Sequence, residues 1–229
     1  MRIFLAGAGG VIGIRPLPLL VADGHQVAAM TRSPQKAGRL HSLGAEPVVC
    51  DVFDPDQLAK AVAAFAPEML MHHLHDLPDR LEQLGEFAAR NDRMRTEGTR
   101  NVRPAANAAS VERFLAQSIA WRPPGRRATV EEHERQVLDA DGVVLRYGQL
   151  YASDTFYPHE LPPHPRAHVD TAANTTRGLL DAAPGVVVIA EDQQGRVDPK
   201  RLGPECCLPG RSHSLAAGGH RNDHNILLM

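Results

Sequence analysis

Cysteine, lysine and tyrosine are all scarce in this chain, each occurring three times in 229 residues. The cysteines, Cys50, Cys206 and Cys207, are too few and too unevenly spaced for a disulfide framework, so a reduced cytoplasmic setting is expected. Runs of about 18 apolar residues are absent, and no membrane-spanning helix is expected. Glycines and then Arg15 and Pro16 interrupt the first apolar stretch, which therefore lacks the core of a secretory leader. Positive charge is not in excess either. Lys and Arg total 25 against 27 Asp and Glu, and a net charge of −2 gives no field to gather nucleic acid or an anionic membrane. Twelve histidines occur, yet Cys206, Cys207, His213, His220 and His224 lack the paired spacing of a zinc site, and His72, His73 and His75 sit at a strand end. No metal is expected.

What is present begins at the amino terminus. Arg2-Ile3-Phe4-Leu5-Ala6 reads as a strand, followed by the glycine-rich turn Gly7-Ala8-Gly9-Gly10-Val11-Ile12-Gly13 and a helix start. A phosphate can approach this backbone because Gly7, Gly10 and Gly13 have no side chain, and the first N–H groups of the helix lack internal partners. The spacing is G-x-x-G-x-x-G, since the commoner G-x-G-x-x-G would need glycine in place of Ile12.

A hydrophobic content of 43% can bury one sizeable core. Apolar runs at 2–6, 26–31, 46–50, 68–73, 112–117, 142–146 and 185–190 alternate with helical segments, which predicts an α/β fold with a doubly wound parallel sheet. Gly24, Gly44 and Ser110 fall where helix C-caps belong. Pro18 and Pro104 fall inside predicted helices and are expected to kink or shorten them. Periodicity fades after Asp198, which divides the chain into a nucleotide-binding domain at 1–198 and an irregular tail at 199–229.

The glycine spacing resembles the short-chain dehydrogenase/reductase superfamily, in its extended or atypical epimerase/dehydratase-like branch. That resemblance spans about residues 1–190 and implies a Rossmann-like fold with a nicotinamide cofactor held at Gly7, Gly10, Val11, Ile12 and Gly13. Arg32 follows the second strand, where an NAD-preferring relative would carry a carboxylate. A guanidinium pairs with a 2′-phosphate, so NADP is expected ahead of NAD. The resemblance places Asp51 and Val52 beside the adenine, and His73 and Leu74 beside the nicotinamide ribose. Gly98-Thr99-Arg100-Asn101 is similar to the family's G-T-x-N, and Arg113-Phe114-Leu115-Ala116-Gln117-Ser118 to the strand ending in its catalytic serine, here Ser118. Val144–Tyr151 and His168-Val169-Asp170-Thr171-Ala172-Ala173 continue the likeness.

The departures are as informative. No Tyr-x-x-x-Lys occurs: the tyrosines are Tyr147, Tyr151 and Tyr157, the lysines Lys36, Lys60 and Lys200, and no pair has that spacing. In the family this dyad moves the substrate proton and holds the cofactor ribose, and a water, Tyr151 or a histidine such as His73 is left to donate. Only Trp121 to Val130 separates the Ser118 strand from the next helix, whose Glu131, Glu132 and Glu134 read as an exposed first turn. Pro158, Pro162, Pro163 and Pro165 suggest an extended loop in place of a full substrate-binding part. The expected function is hydride transfer on a small carbonyl, alcohol or sugar-like substrate. A non-catalytic nucleotide-binding sensor or interaction protein, and a non-redox isomerase or cyclase on the same scaffold, stay open. A homodimer is also open, with Pro104 in one of the helices the family uses for it.

Overall fold

The computed structural model describes residues 1–121 and 125–202. Ten strands form among them: β1 (Arg2–Ala6), β2 (Gln26–Thr31), β3 (Glu46–Val49), β4 (Met69–His72), β5 (Arg113–Ile119), β6 (Val143–Tyr147), β7 (Gln149–Tyr151), β8 (Arg166–His168), β9 (Gly185–Ile189) and β10 (Lys200–Leu202). Eight make one sheet in the order β10-β9-β6-β5-β4-β1-β2-β3, parallel except for β10. The chain starts at the centre, winds out to β3, then crosses back to β4 and winds out the other way. The reversal between β1 and β4 opens a crevice at their carboxyl ends, the place where such sheets bind ligands.

Both faces of the sheet are covered, which is why its strands read as continuous apolar runs. Strand side chains alternate in direction, so Ile3, Leu5, Met71, Leu115 and Leu145 meet α1 (Pro16–Ala22), α2 (Ala37–Ser42) and α7 (Val169–Arg177). Phe4, Met30, Leu70, Phe114 and Val144 face the other way, toward α3 (Pro55–Phe65), α5 (Thr99–Ala108) and α6 (Arg127–Leu138). Leu17, Leu20, Leu58 and Val62 are fully buried helix residues of these two layers, each contributing about 1.5–3 kcal/mol. Helix α4 (Leu84–Arg93) leads through a π turn at Met94–Gly98 directly into α5. No helix among the described residues is long and apolar enough to cross a membrane.

Gly24, Gly44 and Ser110 take positive φ angles of 82°, 87° and 54° and end α1, α2 and α5. Other expectations need correction. The helix after the glycine loop begins only at Pro16, with turns over 11–15, because Pro16 and Pro18 bring no N–H to the carbonyls of Ile12 and Ile14. Pro104 does not shorten α5, which continues to Ala108. Arg100, whose carbonyl goes without a donor, lies on the exposed side with Pro104, while Val102, Ala105 and Ala106 keep the buried face intact.

The proline-rich stretch is not wholly a loop, since β7 and β8 pair in parallel across it, with Gln149 opposite Arg166 and Tyr151 opposite His168. The expected irregular tail does not start at 199, because Lys200–Leu202 pair antiparallel with β9. Residues 203–229, with Cys206, Cys207, His213, His220 and His224, lie outside the described residues.

Candidate active site

The carboxyl ends of β1, β4 and β5 open onto a cavity of about 510 Å³, within the roughly 300–1,000 Å³ of small-molecule sites. Its wall gathers Gly7, Gly10, Val11, Ile12, Arg32, Asp51, Val52, His73, Leu74 and Ser118. Gly13 is the sequence-predicted residue missing from it. Gly9, Lys36, His75, Asp76, Arg95 and Gln117 also line the wall, and sequence reading assigned none of them to the site.

Gly7 has φ 88°, and a Cβ there would overlap the carbonyl of His73, so the absent side chain lets the ends of β1 and β4 close together. A Cβ at Gly13 would overlap the carbonyl oxygen of Gly7. Gly13 therefore allows the loop to fold back on itself, which keeps it off the cavity wall. Gly10 faces the His75 ring, whose Nε2 would lie 2.7 Å from a Cβ at that position. The N–H of Gly10 donates within the loop to Gly7 O at 3.1 Å, whereas those of Gly9, Val11 and Ile12 have no hydrogen-bond partner among the described residues. Three main-chain donors thus remain on the wall.

Cations collect beside this loop. Lys36 Nζ donates to Gly9 O at 2.9 Å. Arg32 and Arg90 both grip Asp76, Arg32 Nη2 at 2.7 Å from Oδ1 and Arg90 Nε at 3.1 Å from Oδ2. Burial works against ionisation of Asp76, but the hydrogen bond and charge of Arg32, then those of Arg90, hold its carboxyl below the ordinary range. Two guanidinium groups share one carboxylate, which leaves net positive charge. Asp51 accepts from Phe53 N at 3.0 Å, and Asp54 caps α3 by accepting from Gln57 N at 2.9 Å. Asn101 fastens α5 to the end of β3 by donating to Val52 O at 3.0 Å.

The far end of the cavity is organised differently. Ser118 and Arg146 are register partners on β5 and β6, and α6 lowers Glu134 between them. Ser118 Oγ donates to Glu134 Oε1 at 2.6 Å, and Arg146 clasps the same carboxylate through Nε at 2.8 Å and Nη2 at 2.5 Å. Glu134 is buried, not part of an exposed first turn, because α6 starts at Arg127 and its third turn faces the sheet.

A second buried network lies behind. The Leu74 N–H donates to His72 Nδ1, which puts the His72 proton on Nε2, 3.0 Å from Thr99 Oγ1. Thr99 Oγ1 lies 2.7 Å from His133 Nδ1, and His133 Nε2 donates to Gln117 O at 2.8 Å. Desolvation lowers the pKa of both histidines and keeps them neutral. His133 and Ser118 thus serve different partners and form no hydrolytic pair. His73 differs from both: neither ring nitrogen has a partner, although the residue is 1% exposed and on the cavity wall. Burial pushes its pKa down to about 3. Tyr151 Oη donates to Glu191 at 2.5 Å, and Tyr151 is not on the wall. Among the described residues no three metal-type side chains cluster.

The sequence model of a family described as NAD(P)H-binding matches residues 7–140. The chain belongs to this family. Within the curated proteins it is 36% identical over 185 residues, 70% of its length, to a 3-diazoavenalumate denitrifying reductase from Streptomyces sp. It is 30% identical over 179 residues, 67% of its length, to a 4-hydroxy-2-methyl-3-oxo-4-farnesyl-3,4-dihydroquinoline-1-oxide ketoreductase from Stigmatella aurantiaca. The chain spans 60% and 52% of the lengths of these relatives. The fold is that of the epimerase/dehydratase-like proteins: the UDP-glucose 4-epimerase of Thermus thermophilus, solved with NAD, matches with a TM-score of 0.69 at 17% identity, over 87% of this chain and 79% of that one.

The wall fits the cofactor of the NAD(P)H-binding family on its own chemistry. It offers three unpartnered main-chain donors, an adjoining cationic group and an unpartnered imidazole in a cavity of suitable size. The epimerase-like dyad has no counterpart. Arg126, just ahead of α6, His133 of α6 and Arg95 of the π turn line the cavity as well.

Proposed function

We propose that this chain is an NADP(H)-dependent oxidoreductase acting on a small carbonyl or alcohol substrate. The observation that carries the reading is the placement, on one wall, of free loop N–H groups, the cations Arg32 and Lys36, and beyond them Ser118 and His73. A reductase and a ketoreductase among the relatives support the same reaction class. The bound nicotinamide would give or take the hydride. Gly9, Val11 and Ile12 would hold the pyrophosphate through their N–H groups, and Asp51 would accept from the adenine amine. Arg32, with Lys36, would hold a 2′-phosphate through the guanidinium donors that Asp76 leaves free.

The proton on Ser118 is committed to Glu134, so Ser118 orients a substrate hydroxyl by accepting from it. His73, neutral and unpartnered, would donate a hydrogen bond to the substrate oxygen. The nucleotide-binding unit runs from residue 1 past 198 to include β10, and we place the protein in the cytoplasm, where its few cysteines and buried Cys50 would stay reduced.

Trp121, the chain's single tryptophan, lines the cavity, so energy transfer to a reduced nicotinamide reports binding directly. NADPH should bind about tenfold tighter than NADH, and Arg32→Ala should erase the difference. Equal affinities overturn the NADP preference, and no binding of either nucleotide overturns the reading. The missing dyad and the engaged Ser118 favour one alternative, a nucleotide-binding sensor. NADPH oxidation with any member of a carbonyl panel would exclude it.

A further inference from the structure

Arg95 stands in the π turn at Met94–Gly98 and lines the cavity together with Leu84, Ala88 and Asn91, the residues one to three turns before it on the same helical face. Its side chain is 18% exposed, yet its guanidinium makes no hydrogen bond among the described residues. The nearest carboxylate oxygen, Asp92 Oδ1, lies 3.9 Å away. Asp92 is already taken, by Arg126 at 3.0 Å and Thr129 Oγ1 at 3.1 Å. Glu134, the other carboxylate within electrostatic reach, is held by Arg146 and Ser118. Desolvation pulls the Arg95 pKa below its ordinary value, but a guanidinium stays charged at neutral pH. A half-buried guanidinium with no hydrogen-bond acceptor among the described residues, and with a nearest carboxylate that it shares with Arg126 and Thr129, keeps donors free for an incoming anion.

The surroundings narrow the choice of anion. Leu84 and Ala88 precede Arg95 on its helical face, and Trp121, Phe156 and Tyr157 line the same cavity, which gives that cavity an apolar and aromatic share. Asp92 and Glu134 would repel a second negative charge, which disfavours a phosphate dianion. A planar monoanion matches the guanidinium fork in two parallel N–H···O bonds. We propose that Arg95 docks the carboxylate of an apolar organic acid and thereby sets the substrate class of this cavity. The proposal rests on the oxidoreductase reading for what becomes of the substrate, and on Arg95 alone for how it is recognised.

The test uses cyclohexanecarboxylate and cyclohexanecarboxamide, equal in shape and differing in charge, titrated into the full chain with and without saturating NADP and followed by Trp121 fluorescence. The acid should bind about tenfold tighter than the amide, as charge-assisted hydrogen bonding predicts. Arg95→Met should bring the ratio to about one and Arg95→Lys should restore part of it, with NADPH affinity unchanged in both. Equal binding of acid and amide to the wild-type chain overturns the proposal whether or not the variants fold. So do failure of both probes to bind, a preference that survives Arg95→Met, and loss of NADPH binding in Arg95→Met with the acid preference kept. Failure of NADPH to bind at all overturns the oxidoreductase reading instead, and the ratio measured without nucleotide still tests Arg95.

Discussion

The two ends of the cavity are built on different principles. At the β1–β2 end the ligand-facing groups are main-chain N–H donors held open by glycine, and the side chains nearby have charge to spare. At the β5–α6 end nearly every polar side chain is spent on a protein partner, Ser118 on Glu134, Glu134 on Arg146, and His133 on Thr99 and Gln117. A site made of backbone fixes side chains mainly at its glycines, because every residue but proline supplies an N–H. A site made of side chains is set by their identities, and here its polar groups pair with one another.

Glu134→Ala should break the side-chain end with the largest effect. Removing one partner of a buried ion pair costs about 3–5 kcal/mol, read as a shift in the urea midpoint, while NADPH affinity of the folded protein stays close to wild type. Comparable loss at both ends would show that they are one cooperative unit. Gly13→Ala should do the reverse. Its methyl group meets the Gly7 carbonyl, so about 1–3 kcal/mol of stability is lost and NADPH affinity falls with it. An unchanged affinity would separate the loop from the nucleotide.

Acid sharpens the comparison further. The pKa of His73 is pushed down to about 3 in the folded state against an ordinary 6.5, so below pH 6.5 the unfolded chain binds the extra proton. Stability is therefore present above pH 6.5 and lost on acidification, with about 2 kcal/mol gone by pH 5. His72 and His133 act in the same direction. Denaturant melts at pH 7 and pH 5 measure the loss, and His73→Gln should remove part of it.

The frame of this fold was legible in the sequence because its signals are local. Seven apolar runs became β1 to β6 and β9 to within a residue or so at most ends, since strands covered on both faces are mostly apolar along their length. Gly24 and Gly44 marked helix ends through their own backbone preference, and Ser110 did so by its place just ahead of the next strand. What stayed hidden is set by distant partners. Arg32 gave no sign that Asp76, 44 residues on, would engage it, nor Glu134 that its helix would turn it inward onto Arg146. Nothing local in the sequence marks Arg95 as a residue of the cavity wall. The three-residue strands β7 and β8 are too short for alternation to register.

The outermost strands carry one more consequence. At one edge β10 presents exposed Lys200 and Arg201, and at the other β3 carries exposed Glu46 and then Pro47, which has no N–H to offer. A second copy that tried to pair the same strand would meet like charges at the first edge, and any added strand would meet a missing donor at the second. Among the described residues, each edge of the sheet thus carries a feature that disfavours the addition of a further strand.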